Sequence, residues 1–375
     1  MASKFIIAGS TVLSLAMIFQ FFLKERIWLT FGINQNWQKI DEFPYKCRRL
    51  IHPLLESCED LVLDTKGRTV YVACSSVLGR NKWCPAGNQY NVTARELTGH
   101  VAVLKIDEPG DDGLYGLHQL AITGDYQSAT GGKDFDVLGI DIEVLPNDRL
   151  RFWMVNDRPP VDESGNLMDA TKLPNNIAAT GDGGFVVSNI RDSKMPRFGH
   201  LSSLLGGGSV AYCGSNNKCH TATKDFKFQI ANGVVKGHDS LYYVAHSLSG
   251  KITVFTLQPD QTLLPIDEIK IGMVVGNLSI DTNGDIFVAA IPWPLSLIQA
   301  SKKPLTTNVP STIFRIRKLK NGNGAYYEVQ KILEDIEGEV LPGATTVVHD
   351  TQTGTIFLGG ITSPFLTVCE RQSTD

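Results

Sequence analysis

The sequence predicts an all-β chain, a six-bladed β-propeller with an N-terminal transmembrane helix, and three observations carry that prediction. Strand-like runs pair across turns rich in Gly, Asp and Asn in about six successive units along the 375 residues, and recurrence at a spacing of tens of residues marks a radial array. A polar residue heads four of the units, Glu59, Asn175, Asn232 and Asn277, each time ahead of an apolar strand. Helical periodicity is scarce beyond the N-terminal apolar run and a short stretch around Leu295 to Ala300.

The N-terminal run, Phe5 to Leu23, is uncharged and flanked by Lys4 and by Lys24, Glu25 and Arg26. It is about long enough to span a bilayer as a helix, and it ends in Phe21-Phe22-Leu23 rather than in the small residues of a cleavage site. Residues 1–27 are therefore expected to be an uncleaved signal-anchor, which makes the membrane a partner through residues 5–23, and residues 28–375 the propeller domain. A chain with 42% hydrophobic and 20% charged residues can bury a full core, which excludes general disorder. A net charge of -4 spread along the chain gives no basic field for nucleic acid. The one dense cationic stretch, Arg315, Arg317, Lys318 and Lys320, alternates with Phe314, Ile316 and Leu319 and reads as a solvated or edge strand.

The units run in order along the chain. Glu59-Asp60-Leu61-Val62-Leu63 runs into Asp64-Thr65-Lys66-Gly67; Leu138-Gly139-Ile140-Asp141-Ile142 runs into Leu145-Pro146-Asn147-Asp148. Asn175-Asn176-Ile177-Ala178 precedes Gly181-Asp182-Gly183-Gly184, and Asn232-Gly233-Val234-Val235 precedes Gly237-His238-Asp239. Asn277-Leu278-Ser279-Ile280 precedes Asp281-Thr282-Asn283-Gly284, and Ala344 to Val348 leads to Asp350-Thr351-Gln352-Thr353-Gly354. Further strand candidates, His100 to Ile106 and Lys251 to Phe255, lie between units and bring each to about four strands, the composition of a propeller blade.

Seven cysteines, without zinc-like spacing, point to a disulfide set in the secretory pathway, with the body lumenal or extracellular. Cys213 with Cys219, and Cys74 with Cys84, flank polar loops as local staples; Cys47 and Cys369 lie near the two ends of the body and could close a ring, which leaves Cys58 over. Asn91-Val92-Thr93 is a glycosylation sequon in a polar loop.

In a propeller the innermost strands line one channel, so residues in the same phase meet around the axis. On that ground Glu59, Asn175, Asn232 and Asn277 form one constellation, and oxygen donors meeting there would make a hard-cation site. The competing fate of each Asn is a turn that binds its own backbone. Gly206-Gly207-Gly208-Ser209 lacks the Lys of a phosphate loop, and no Gly-x-Ser-x-Gly elbow supports serine hydrolysis.

At these residues the chain resembles the serum paraoxonase/arylesterase family of calcium-dependent six-bladed propellers, within the wider strictosidine synthase-like and gluconolactonase-like propellers. The resemblance rests on Cys47, Ser57-Cys58-Glu59-Asp60-Leu61, Asn175-Asn176-Ile177, Ala231-Asn232-Gly233, Asn277-Leu278-Ser279-Ile280-Asp281 and Cys369-Glu370, in order from about residue 40 to the end. It implies a catalytic calcium on Glu59, Asn175, Asn232 and Asn277, a second, structural calcium around Asp60, the backbone of Ile140 and Asn176, and a Cys47–Cys369 disulfide. It also implies that the Asn277 sequon is silent. The departures are Gly276, where the family has a ligating Asp; Asn176, where it has an Asp; and Leu138 and Asp157, where it has a histidine pair assigned to proton transfer.

The expected activity is calcium-assisted opening of a small-molecule lactone or aryl ester. Glu59 or Asp157 would serve as base, His246 as a replacement imidazole, and Leu138 and Trp293 as pocket wall. Two other outcomes remain open at this level: a non-hydrolytic propeller enzyme that guides condensation or cyclisation, and a binding protein that kept the fold alone.

Overall fold

The computed structural model describes residues 17, 19–20, 24–33, 35–87, 89–123, 135–158, 172–192, 206–216, 218–321, 324–341 and 343–372. Five four-stranded antiparallel sheets stand around a common axis. Asp60–Asp64, Lys172–Ala179, Ala231–Lys236, Val274–Ile280 and Thr346–His349 are their innermost strands. Between the first two of these blades sits a two-stranded sheet of Val137–Val144 and Leu150–Asn156. Each innermost strand packs on the next, Asp60–Asp64 and Lys172–Ala179 through Val137–Val144 between them, and Thr346–His349 returns to Asp60–Asp64, so the ring closes. The described residues thus show five full blades, one fewer than the sequence predicts, with a hairpin at the place of the remaining unit.

Closure is made by the two ends of the chain. Tyr45–Leu50 adds to the last blade as its outermost strand, antiparallel to Leu366–Arg371, in a register that sets Cys47 opposite Cys369. Those two cysteines are disulfide-bonded across a sequence separation of 322 residues, a cross-link that constrains the unfolded chain most when the loop is long. Neighbouring blades bury apolar faces against each other: Val70, Val72, Leu104, Phe357 and Val368 join the first and last blades, and Tyr243, Val254, Val288 and Phe314 join the two before it.

One expectation changes. The cationic strand Ser311–Asn321 is not an edge, because it pairs with Ile286–Ile291 on one side and Gly324–Asp335 on the other; two of its charges pair across the surface, Arg317 with Asp285 at 2.8 Å and Lys318 with Asp239 at 2.5 Å. Among the described residues no helix is long and apolar enough to cross a membrane. The predicted span from Phe5 to Leu23 lies outside the described residues apart from Met17, Phe19 and Gln20. Directly after Leu23 the chain forms a short helix, Lys24–Phe31, packed against the helix Pro294–Ala300.

Candidate metal centre

Strand pairing next to the axis slips in four hairpins, among other places between Val137 and Ile140, Pro174 and Ile177, Ala231 and Val234, and Val275 and Leu278. Inside the slips lie Leu138-Gly139, Asn175-Asn176, Asn232-Gly233 and Gly276-Asn277. A bulge kinks its strand and re-aims a side chain, and here it delivers the three predicted asparagines. Glycine lets the bulges nest: a Cβ at Gly233 would stand 2.5 Å from the Asn277 Cα, and one at Gly276 would stand 2.6 Å from the Thr345 carbonyl. Glu59 enters just ahead of Asp60–Asp64, its N–H bonded to the Ala73 carbonyl at 3.0 Å.

These residues come together. Asn277 Nδ2 donates to Glu59 Oε1 at 3.0 Å and to the Glu59 carbonyl at 3.1 Å, and Thr345 Oγ1 donates to that same carbonyl at 3.1 Å. Glu59, Asn175 and Asn232 all line a cavity of about 430 Å³ whose walls include Leu173, Ile230 and Leu297. Each of the four residues keeps one buried oxygen without a hydrogen-bond partner among the described residues: Glu59 Oε2, Asn175 Oδ1, Asn232 Oδ1 and Asn277 Oδ1. A buried polar atom left unpaired costs roughly 1–3 kcal/mol, so four on one axis are a standing cost that a shared partner would relieve. Burial, and next the nearby Asp60 charge, hold the Glu59 carboxyl well above its ordinary range, against the pull of Arg80 and the Asn277 hydrogen bond.

The donor set is one carboxylate and three amide carbonyls, hard oxygens of the kind Ca²⁺ takes. Among the described residues no cluster of three or more His, Cys, Asp or Glu side chains forms a metal site, so this amide-rich set carries the candidate. The residues present fit a hard cation of low charge demand.

The second predicted position is built differently. Asp60 Oδ1 accepts from Leu61 N at 3.0 Å and Thr346 Oγ1 at 3.1 Å; Oδ2 accepts from Ile140 N at 2.9 Å and Asn176 Nδ2 at 2.7 Å. Asn176 Oδ1 in turn accepts from Val234 N at 3.0 Å. Ile140 therefore presents its N–H to Asp60, and Asn176 presents its amide nitrogen.

The other predicted site residues lie off the cavity. Leu138 is fully buried and packs with Val155 and Ile177, where an apolar side chain at a bulge gains most. Asp157 is buried, its N–H on the Asp136 carbonyl and its own carbonyl taken by the Trp83 indole; burial pushes its carboxyl to about 7 although the Arg80 charge opposes the shift. His246 spends Nε2 on Gln229 N at 2.7 Å and sits against the Phe226 and Phe228 rings, and burial lowers its pKa to about 4, so the imidazole is neutral and structural. Trp293 is 43% exposed at the head of the helix Pro294–Ala300 and does not line the cavity.

Among the cysteines, Cys213 bonds Cys219, while Cys74 bonds Cys58 and not Cys84. Cys58 enters the ladder of Asp60–Asp64 with Thr69–Cys74 where its Cα falls 4.0 Å from that of Cys74, which fixes the approach of Glu59. Cys84 is free and buried in the cavity wall, its thiol pushed up to about 11 by burial. Asn91 is exposed and caps a short turn, accepting from Ala94 N. Two residues that carry no sequence signal complete the site: Thr345, and Arg80, a buried cation of the helix Val77–Lys82 that lines the cavity and donates to the Val137 carbonyl.

The resemblance to the arylesterase family holds in a direct comparison: residues 196–363, which include Asn232 and Asn277, match that family's model. No curated protein matches the chain significantly. Among solved structures the chain is similar to a gluconolactonase from Xanthomonas campestris (16% identity, 86% of this chain and 89% of that one, TM-score 0.44). It is also similar to a luciferin-regenerating enzyme (10%, 87% and 96%, 0.47) and to the calcium-binding protein regucalcin from Agrobacterium tumefaciens (11%, 87% and 95%, 0.43). At those scores the architecture rests on the blades described above.

Proposed function

We propose that the protein is a calcium-dependent, arylesterase-like hydrolase that opens a lactone or aryl ester in the axial cavity of a six-bladed ring, the hairpin of Val137–Val144 and Leu150–Asn156 counting as the sixth blade. The observation that supports this reading is that Glu59, Asn175, Asn232 and Asn277 each keep an unpaired buried oxygen, with Glu59, Asn175 and Asn232 lining one cavity and Asn277 hydrogen-bonded to Glu59. The arylesterase match over residues 196–363 supports it. A bound calcium ion would polarise the scissile carbonyl and stabilise the charge that develops on its oxygen.

The chain's own residues supply the rest. The apolar wall of Leu173, Ile230 and Leu297 holds the acyl or aryl part of a substrate and thins the water around it. Arg80 places a fixed positive charge beside Glu59, favouring an anionic product carboxylate. Asn277 orients Glu59 through Oε1 and leaves Oε2 unpaired, one of the oxygens that would hold the ion. Among the described lining residues Glu59 is the one carboxylate and no histidine is present, so Glu59 is the base on which hydrolysis depends. That same scarcity favours a second reading, a non-hydrolytic propeller that orients a reactive molecule for cyclisation, a task of shape more than of proton transfer. Three disulfides support a lumenal or extracellular body, anchored through residues 5–23.

The test is to measure bound calcium in the purified protein and to assay lactone and aryl-ester panels with and without chelator, beside Asn232→Ala. Stoichiometric calcium with chelator-sensitive turnover, both lost in Asn232→Ala, is the expected result. Retained calcium without turnover favours cyclisation, and absence of both leaves a binding protein.

A further inference from the structure

We propose that the Asp60–Asn176 position is a metal-free staple, in which the Asn176 carboxamide stands in place of a second calcium ion, so that the axis holds one cation at most. The proposal goes beyond the catalytic reading and does not depend on it.

Three features carry it. First, the Asp60 carboxylate is complete: its two oxygens accept four hydrogen bonds, from Leu61 N, Thr346 Oγ1, Ile140 N and Asn176 Nδ2, at 2.7 to 3.1 Å. A carboxylate offers about four lone-pair sites, and none is left for a metal. Second, the groups aimed at it are donors. Calcium at this place would need oxygens, yet Ile140 turns its N–H to Asp60 and Asn176 turns its amide nitrogen. Third, the amide cannot turn over. Asn176 Oδ1 is held by Val234 N at 3.0 Å, and its backbone N–H donates to Ser188 Oγ at 3.1 Å. A flip would set an amide N–H₂ against that N–H and carbonyl against carboxylate, losing two buried hydrogen bonds at once.

The staple has the reach of an ion. Asp60, Ile140, Asn176, Val234 and Thr346 belong to five of the six strands that line the axis. A single network of neutral donors around one carboxylate therefore ties blade to blade at the centre, where a divalent cation would otherwise bridge them. Mechanical closure of the ring and metal binding are separated in this chain: the first is done by Asp60 and Asn176, the second is left to Glu59 and its partners.

The deciding experiment is a calcium count on the full chain, by atomic emission after dialysis and by titration after chelator treatment, for the wild type and for Asn176→Asp, with thermal unfolding at each calcium level. The wild type is expected to bind one equivalent, and Asn176→Asp one more than the wild type. The Asp variant should also melt several degrees lower than wild type in chelator and regain that loss in calcium. Two equivalents in the wild type overturn the proposal, as does an Asn176→Asp protein that folds and gains none. Zero equivalents in the wild type would end the calcium-dependent hydrolase reading and leave the staple standing. Should Asn176→Asp fail to fold, the wild-type count decides alone.

Discussion

Glu59 and Asp60 are neighbours in the chain and opposite in condition. Both are buried carboxylates on the propeller axis, and each is joined to an asparagine from another blade, Asn277 for the one and Asn176 for the other. Glu59 keeps an oxygen unpaired, beside three asparagines that each keep one too; Asp60 keeps none. The difference teaches that position on the axis does not make a ligand. A site is open to a cation where the protein withholds its own donors, and it is closed where an amide nitrogen or a backbone N–H has been turned inward.

The largest effect should come from breaking the closed half. Asn176→Ala removes a 2.7 Å hydrogen bond from a buried carboxylate and frees the Val234 N–H. The loss should be roughly 2–5 kcal/mol of stability, read from urea unfolding, with bound calcium unchanged from wild type. A loss below about 0.5 kcal/mol, the range of an inert surface change, would mean that Asp60 does not depend on the amide, and the contrast with Glu59 would collapse.

The open half is tested by returning the carboxylate that Gly276 lacks. A Cβ at Gly276 would stand 2.6 Å from the Thr345 carbonyl, and Asn277 N is already bonded to that carbonyl at 2.7 Å. Gly276→Asp is therefore expected to cost about 1–3 kcal/mol as overpacking and to leave calcium affinity no better than in the wild type. Tighter calcium binding with unaltered unfolding would show that the bulge can open, and that the single-carboxylate site is a choice of side chain and not of backbone.

Much of this arrangement was legible in the sequence, because phase along a repeated hairpin is a one-dimensional property. The heads of the units, Glu59, Asn175, Asn232 and Asn277, meet because equivalent strands meet, and Cys47 faces Cys369 because the ends of a closed ring must pair. What stayed hidden depends on pairing across space. The bulges arise from slips against a partner strand, and the choice of Cys58 over Cys84 for Cys74 turns on where a strand enters its ladder. Arg80 sits in a connection without periodicity, and His246 is withdrawn by the Gln229 N–H. The direction of the Asn176 amide, which decides between ion and staple, is set by Val234 in another blade.

A third buried carboxylate separates an unpaired oxygen that marks a ligand from one that is only a cost. Among the described residues Asp157 Oδ2 has no partner, as with Glu59 Oε2, but Asp157 neither lines the cavity nor, as Asn277 does, hydrogen-bonds to Glu59. Burial raises its carboxyl from an ordinary 3.8 to about 7, so the folded state holds the proton more tightly than the unfolded one. At a pH below the unfolded value both states are protonated and Asp157 costs nothing; the cost develops as pH rises between the two values and is complete above about 7. Asp157→Asn should therefore stabilise the protein by about 1–3 kcal/mol in mildly alkaline buffer, give no gain in acid below the unfolded pKa, and leave bound calcium as it was. Equal gains at both pH values would remove titration as the cause. A fall in bound calcium would place Asp157 with Glu59 among the ligands, and unpaired oxygens would then mark the metal site wherever they lie around the axis.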